Sequence, residues 1–238
     1  MSLSKMSELQ PQISMGEAAS FAWTQFCAAP GPLIGLAAIV TILQFLSSIG
    51  SASLQNLVLA CLDPQTEGQV NACDVATQEA IGPLLIAFLF SMLALFALIG
   101  IQRAALDATL GTPPGFGALL TTRDLGKYVL YVIASTVLAS LGLVLCILPG
   151  VVIYFLLQLG PYVVIDRSAG VGAAMRGSAR LIRENVGPAV ILLLVHLAGL
   201  LLGGLFMGIP TLFVLPFVTL FTAHVYRQMQ AKRPIEGV

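Results

Sequence analysis

Four long runs without a charged residue divide the chain: Ala18–Leu62, Ala80–Gln102, Tyr128–Ile165 and Val186–Tyr226. The charged residues are gathered between these runs. A helix needs about 20 apolar residues to cross a hydrocarbon core ~30 Å thick. The first two runs each hold one such helix, near 33–52 and 82–102, with a loop over 53–81 between them. Tyr128–Ile165 is 38 residues long and Val186–Tyr226 is 41, so each holds two. The third run breaks at Leu148-Pro149-Gly150 and the fourth at Gly208-Ile209-Pro210-Thr211, both turn signals inside apolar sequence. The pattern predicts an all-α integral membrane protein with six transmembrane helices arranged as three hairpins. Gly160-Pro161 in span four and Pro216 in span six should bend those helices, with neighbours satisfying the backbone groups set free.

A short amphipathic segment precedes each hairpin: Gly16–Ala29, Gly115–Lys127 and Val171–Asn185. Gly16 with Gly31-Pro32 recurs as Gly172 with Gly187-Pro188, at a constant offset. Leu106-Asp107 and Ile165-Asp166 each precede a glycine-containing linker. These correspondences suggest a pseudo-threefold repeat over about 16–102, 103–166 and 167–230 within a single membrane domain, 16–230. Residues 1–15 and 231–238 read as tails, the first flexible. In the third segment Arg176, Arg180 and Arg183 are spaced by four and three, so they share one helical face. Ala174, Ser178, Leu181 and Ile182 lie opposite. Such a helix suits the headgroup region, with its arginines toward anionic lipid. The plainer reading is that these arginines only set topology. Phe21, Trp23 and Phe26 read as interfacial aromatics.

Composition sharpens this picture. The chain is 58% hydrophobic and 9% charged, against roughly 25% charged in soluble domains, too few charges to cover a water-exposed surface. All 11 Lys and Arg residues fall in segments that would lie on one side of the predicted bundle, none on the other. Positive charge marks the cytoplasmic side. Both termini and the 103–127 and 167–185 connections are therefore expected in the cytoplasm of a bacterial cell, with the bundle in its plasma membrane. Residues 1–15 lack the apolar stretch of a signal peptide. No basic, aromatic-interleaved surface suggests nucleic acid.

The chemistry-bearing residues are sparse. No HExxH, GxSxG or phosphate-cradling glycine loop is present, and no Asp or Glu lies inside a span. Carboxylate proton carriers are thus missing, and the expectation is a protein with no catalytic residues, cofactor or metal. Cys61 and Cys73 share the outer loop, where an oxidising exterior permits a disulfide; two free thiols are the alternative. Gln44, Gln158 and His196 fall near the midplane of their spans. They either line a shared cavity or bond between helices, each such bond worth about 0.6 kcal/mol. The GxxxG spacings Gly31/Gly35, Gly199/Gly203 and Gly204/Gly208 fit close helix approach, within the chain or between copies.

Residues 147–194, ILPGVVIYFLLQLGPYVVIDRSAGVGAAMRGSARLIRENVGPAVILLL, carry a resemblance. The Leu-Pro-Gly turn, the Pro-Tyr-Val-Val-x-Asp-Arg exit, the small-residue amphipathic helix and the glycine before the next span resemble uncharacterised bacterial multi-pass membrane proteins. Those proteins are related to the membrane domain attached to some glycerophosphodiester phosphodiesterases. MGEAASFAWTQFCAAPGPLIG is a fainter match. The resemblance implies an integral membrane protein and brings no catalytic residue, because the soluble phosphodiesterase domain has no counterpart here.

The expected function is that of a non-enzymatic accessory or scaffold engaging membrane lipids, another membrane protein or a second copy of itself. The alternative is a small transporter or channel using Gln44, Gln158 and His196.

Overall fold

A computed structural model describes residues 13–62, 72–121, 123–205 and 208–232. Every regular element among them is a helix: α1 (Met15–Ala28), α2 (Pro30–Leu62), α3 (Ala72–Ala108), α4 (Gly117–Leu120), α5 (Leu125–Leu145), α6 (Ile147–Leu157), α7 (Gly160–Arg167), α8 (Val171–Glu184), α9 (Val186–Leu205) and α10 (Thr211–Lys232). Five stretches are long and apolar enough to cross a membrane: Pro30–Leu59, Thr77–Ala108, Leu125–Leu145, Ile147–Arg167 and Val186–Leu205. The expected sixth span, α10, is helical over 22 residues but is not among them. Its last two turns run through Arg227, Gln228, Gln230 and Lys232, and Pro216, Leu220, Ala223, Tyr226 and Met229 are among its buried residues.

The helices α2 and α3 are longer than predicted. At about 1.5 Å per residue, their 33 and 37 residues reach about 50 and 55 Å. Much of the segment 53–81, read as a loop, is helical. Ser51–Leu62 contains neither Gly nor Pro and holds four Leu and two Ala, so propensity carries the helix past residue 52, and the apolar stretch itself runs on to Leu59. The second amphipathic segment departs the other way. Gly115–Lys127 yields only the single turn α4, because Pro113-Pro114 precedes it and Asp124 takes a left-handed backbone (φ 59°) that ends any continuation.

The chain forms two compact units, Met1–Ala37 with Ile99–Val238, and Ala38–Leu98. In the larger, α1 packs on α10, α5 on α6, α9 on α10, and α8 on α5, α6 and α7. Its core includes Leu33, Ile99, Tyr128, Tyr131, Leu159, Tyr162, Leu181, Leu220 and Tyr226. In the smaller, Ser47 Oγ and Ser91 Oγ are 2.6 Å apart.

The α5–α6 hairpin pivots on Cys146, whose extended backbone (φ −171°, ψ 145°) separates the helices. The predicted turn at Leu148-Pro149-Gly150 thus lies inside the first turn of α6, where proline's missing N–H costs no hydrogen bond. Close approach is what fixes the glycines: a Cβ on Gly142 would lie 2.8 Å from the Gly150 Cα. Gly199 and Gly203 likewise face Val214 and Thr211 across the α9–α10 hairpin, so this GxxxG pair serves packing within the chain.

Candidate functional site

The helix α8 follows its sequence pattern closely. Ala174, Gly177, Ser178, Leu181 and Ile182 are buried, while Arg176, Arg180 and Arg183 are exposed. Gly170 caps the N-terminus with extended backbone, and Asn185 closes the other end by donating Nδ2–H to the Leu181 carbonyl at 2.9 Å. Arg183 sits in the last turn, where the helix dipole favours a cation. Arg180 pairs with Glu184 at 3.2 Å. Among the described residues Arg176 and Arg183 have no ion-pair partner. The apolar face is not turned to lipid as a free interfacial helix would turn it. It is spent on α5, α6 and α7, so the arginines stand on a helix held by the protein itself.

What α8 rests on is the break between α6 and α7. An uninterrupted helix would give the Leu156 carbonyl to the amide of Gly160 and the Leu157 carbonyl to that of residue 161. Residue 161 is proline and has no N–H. Both carbonyls are instead met by side chains from other helices. Ser178 of α8 donates to the Leu156 oxygen at 2.8 Å, and Tyr131 of α5 donates to the Leu157 oxygen at 2.8 Å. Gly160 makes room for the second, because a Cβ there would fall on the Tyr131 hydroxyl. The predicted bend at Gly160-Pro161 is therefore an interruption of the helical hydrogen bonds, sealed from two sides, across which Gln158 and Leu159 keep right-handed helical backbone.

Gln158, inside the break, donates Nε2–H to the Ala189 carbonyl of α9 at 3.2 Å, and its buried Oε1 has no hydrogen-bond partner among the described residues. His196 Nδ1 lies 2.8 Å from the Leu192 oxygen one turn earlier in its own helix. Gln44 belongs to the smaller unit, where it lines a cavity of about 260 Å³ with Ser47, Ser91, Ala94, Leu95 and Leu98. The three expected midplane residues are thus divided between the units. Cys61 is disulfide-bonded; the side chain of Cys73 lies outside those described. Among the described residues no group of three or more His, Cys, Asp or Glu is placed to hold a metal ion.

Two polar clusters escaped the sequence reading. Asp124 accepts from Ser168 Oγ (2.6 Å) and pairs with Lys127 (3.1 Å), while Arg123 donates to Ser168 Oγ (3.2 Å) and Lys127 to the Ser168 carbonyl (2.7 Å). The Ser168 hydrogen bond, helped by Lys127 and Arg123 and opposed by desolvation, holds the Asp124 carboxyl below the usual range. In the second cluster Asp166 accepts from Arg227 (2.7 Å) and from the Tyr226 hydroxyl (3.1 Å), and Arg227 Nε donates to Thr109 Oγ1 (3.2 Å). Residues just beyond α3, at the end of α7 and near the end of α10 are tied together there. The only sequence hints were the Arg-Asp and Asp-Arg pairs at 123–124 and 166–167, which also serve as topology signals.

No family model matches the chain, and no solved structure matches it. It is similar to uncharacterised proteins of Mycobacterium bovis and Mycobacterium tuberculosis, 25% identical in each case over 94% of this chain and 71% of theirs.

Proposed function

We propose that this protein is a non-enzymatic membrane scaffold whose α8 presents arginines to the phosphates of anionic lipid. The observation that carries this reading is the division of α8: its small apolar face is consumed inside the chain, and Arg176, Arg180 and Arg183 remain outside. A guanidinium binds phosphate through paired N–H donors. Arginines on a helix fixed by burial lose less freedom on binding than they would on a loose one.

The membrane arrangement belongs to the same proposal. In it α10 is a sixth span, Thr211 to Tyr226, which places both termini and all basic residues in the cytoplasm of a bacterium. A threefold relation among the hairpins draws support from two of the three segments: α1 packs on α10 and α8 on α6 and α7, so each of these two helices rests on the second arm of the hairpin before it, counting cyclically. The likeness of residues 147–194 to the membrane domain attached to some glycerophosphodiester phosphodiesterases points to a shared origin and brings no such activity. The transport alternative draws its support from the unpartnered Oε1 of Gln158. Against it, broken membrane helices coordinate ions with freed carbonyls, and here those of Leu156 and Leu157 are occupied by Ser178 and Tyr131.

The test is thermal unfolding in nanodiscs of phosphatidylglycerol and of phosphatidylcholine. A ligand that binds only the folded state raises the midpoint. The expected result is a higher midpoint in phosphatidylglycerol, lost when Arg176, Arg180 and Arg183 are all replaced by Gln. Equal midpoints for the parent chain in both lipids would overturn the reading.

A further inference from the structure

We infer that α8 is a clasp on the α6–α7 break and that anionic headgroups on its arginine face hold the clasp shut. The inference rests on the headgroup reading above and adds its consequence for the fold.

Three observations carry it. Ser178 and the arginines occupy opposite faces of one 14-residue helix, so one rigid body touches the break on one side and the surroundings on the other. Ser178 is wholly buried, and its hydroxyl meets the Leu156 carbonyl that the break leaves over. The contact face of α8 combines small groups, Ala174, Gly177 and Ser178, with Leu181 and Ile182 as buried anchors and Val171 and Met175 partly buried against the core. Hydrophobic burial grows with apolar area, so the small groups around Ser178 contribute less to the adhesion of α8 than its larger anchors do.

The coupling follows from linkage. When α8 is seated, its three arginines are fixed at one place on the surface of the larger unit, and lifting carries them away from headgroups bound there. When it lifts, the Leu156 carbonyl loses its donor within an apolar environment, and the break loses one of its two seals. A phosphate-bearing headgroup that favours the seated arrangement therefore protects the break, and removing it exposes the break by the same factor. Tyr131, fixed on α5, keeps the Leu157 carbonyl sealed in both states, so opening is confined to the side facing α8.

The test uses the full chain with Cys27→Ser, Cys146→Ser and Ser178→Cys in nanodiscs of phosphatidylglycerol or phosphatidylcholine. Labelling of the introduced thiol by a water-soluble maleimide reports lifting of α8. Labelling should be slower in phosphatidylglycerol by about fivefold or more, the lower end of ordinary coupling between two sites. Amide exchange of the unaltered chain over residues 156–165 should slow in the same lipid, which guards against an effect of the substitutions. Equal labelling and exchange in both lipids, with phosphatidylglycerol still raising the unfolding midpoint, would overturn the clasp and leave the headgroup reading standing. Loss of the midpoint effect as well would overturn both. Inorganic phosphate giving the same protection in phosphatidylcholine would overturn the assignment to lipid and point to a soluble anion.

Discussion

Asp124 and Ser168, the two non-glycine residues with left-handed backbone among those described (φ 59° and 51°), are bonded to each other, Ser168 Oγ donating to Asp124 Oδ2 at 2.6 Å. Non-glycine residues in this region carry a conformational cost, which surrounding contacts must offset. Asp124 precedes α5 and Ser168 follows α7, so the bond fixes the start of one helix against the end of another. Lys127 completes the latch by bonding both partners. The path from α7 into α8 begins at Ser168, and the latch therefore sets where the arginine helix starts.

This latch should respond to acid. The folded-state carboxyl of Asp124 titrates below its ordinary value, so the unfolded chain takes up the proton first as pH falls. The stability it contributes is complete above the ordinary carboxylate pKa of about 3.9 and is lost as pH falls through the folded value. Thermal unfolding in detergent between pH 7 and pH 3 should show a declining midpoint, with a shallower decline in Asp124→Asn and a lower midpoint for that variant at pH 7. An unchanged acid response in Asp124→Asn would remove the latch from the account.

The seal on the break makes a second prediction. Gly160→Ala places a methyl where the Tyr131 hydroxyl sits, and overpacking of this kind costs about 1–3 kcal/mol. Tyr131→Phe removes the donor and leaves the Leu157 carbonyl unsatisfied, also at about 1–3 kcal/mol. Because both act on one contact, the double variant should lose less than the sum of the two. Strict additivity in equilibrium unfolding would show that the two residues do not share a contact.

Topology can be read from native cysteines. Cys146 is exposed at the α5–α6 pivot and Cys27 at the end of α1. With six spans, a membrane-impermeant maleimide should label Cys146 in intact cells and Cys27 only after permeabilisation, and reporters fused to the two termini should read the same side. Termini on opposite sides would return α10 to a helix that does not cross.

The sequence made some of this architecture legible and hid the rest for identifiable reasons. The arginine face of α8 was visible because charge spacing of four and three is a local property of one helix. Gly160-Pro161 announced a break because proline lacks an N–H wherever it sits. The donors that seal the break were not visible: Ser178 and Tyr131 are 22 and 26 residues away from the carbonyls they meet, and no local signal marks a cap that arrives from another helix. The ends of α2 and α3 were missed because hydropathy reports the membrane and not the helix, and Ser51–Leu62 continues its helix with no Gly or Pro to end it. The fate of α10 depends on tertiary burial, since its polar last turns pack against α1 and Asp166.

The most direct test of the account is the phospholipid that remains bound after extraction, measured for the parent chain and for the variant with Arg176, Arg180 and Arg183 replaced by Gln. The account predicts that anionic phospholipid is enriched on the parent chain relative to the membrane extract and that the enrichment disappears in the variant while the fold persists. Bound lipid of the same composition on both proteins would contradict it.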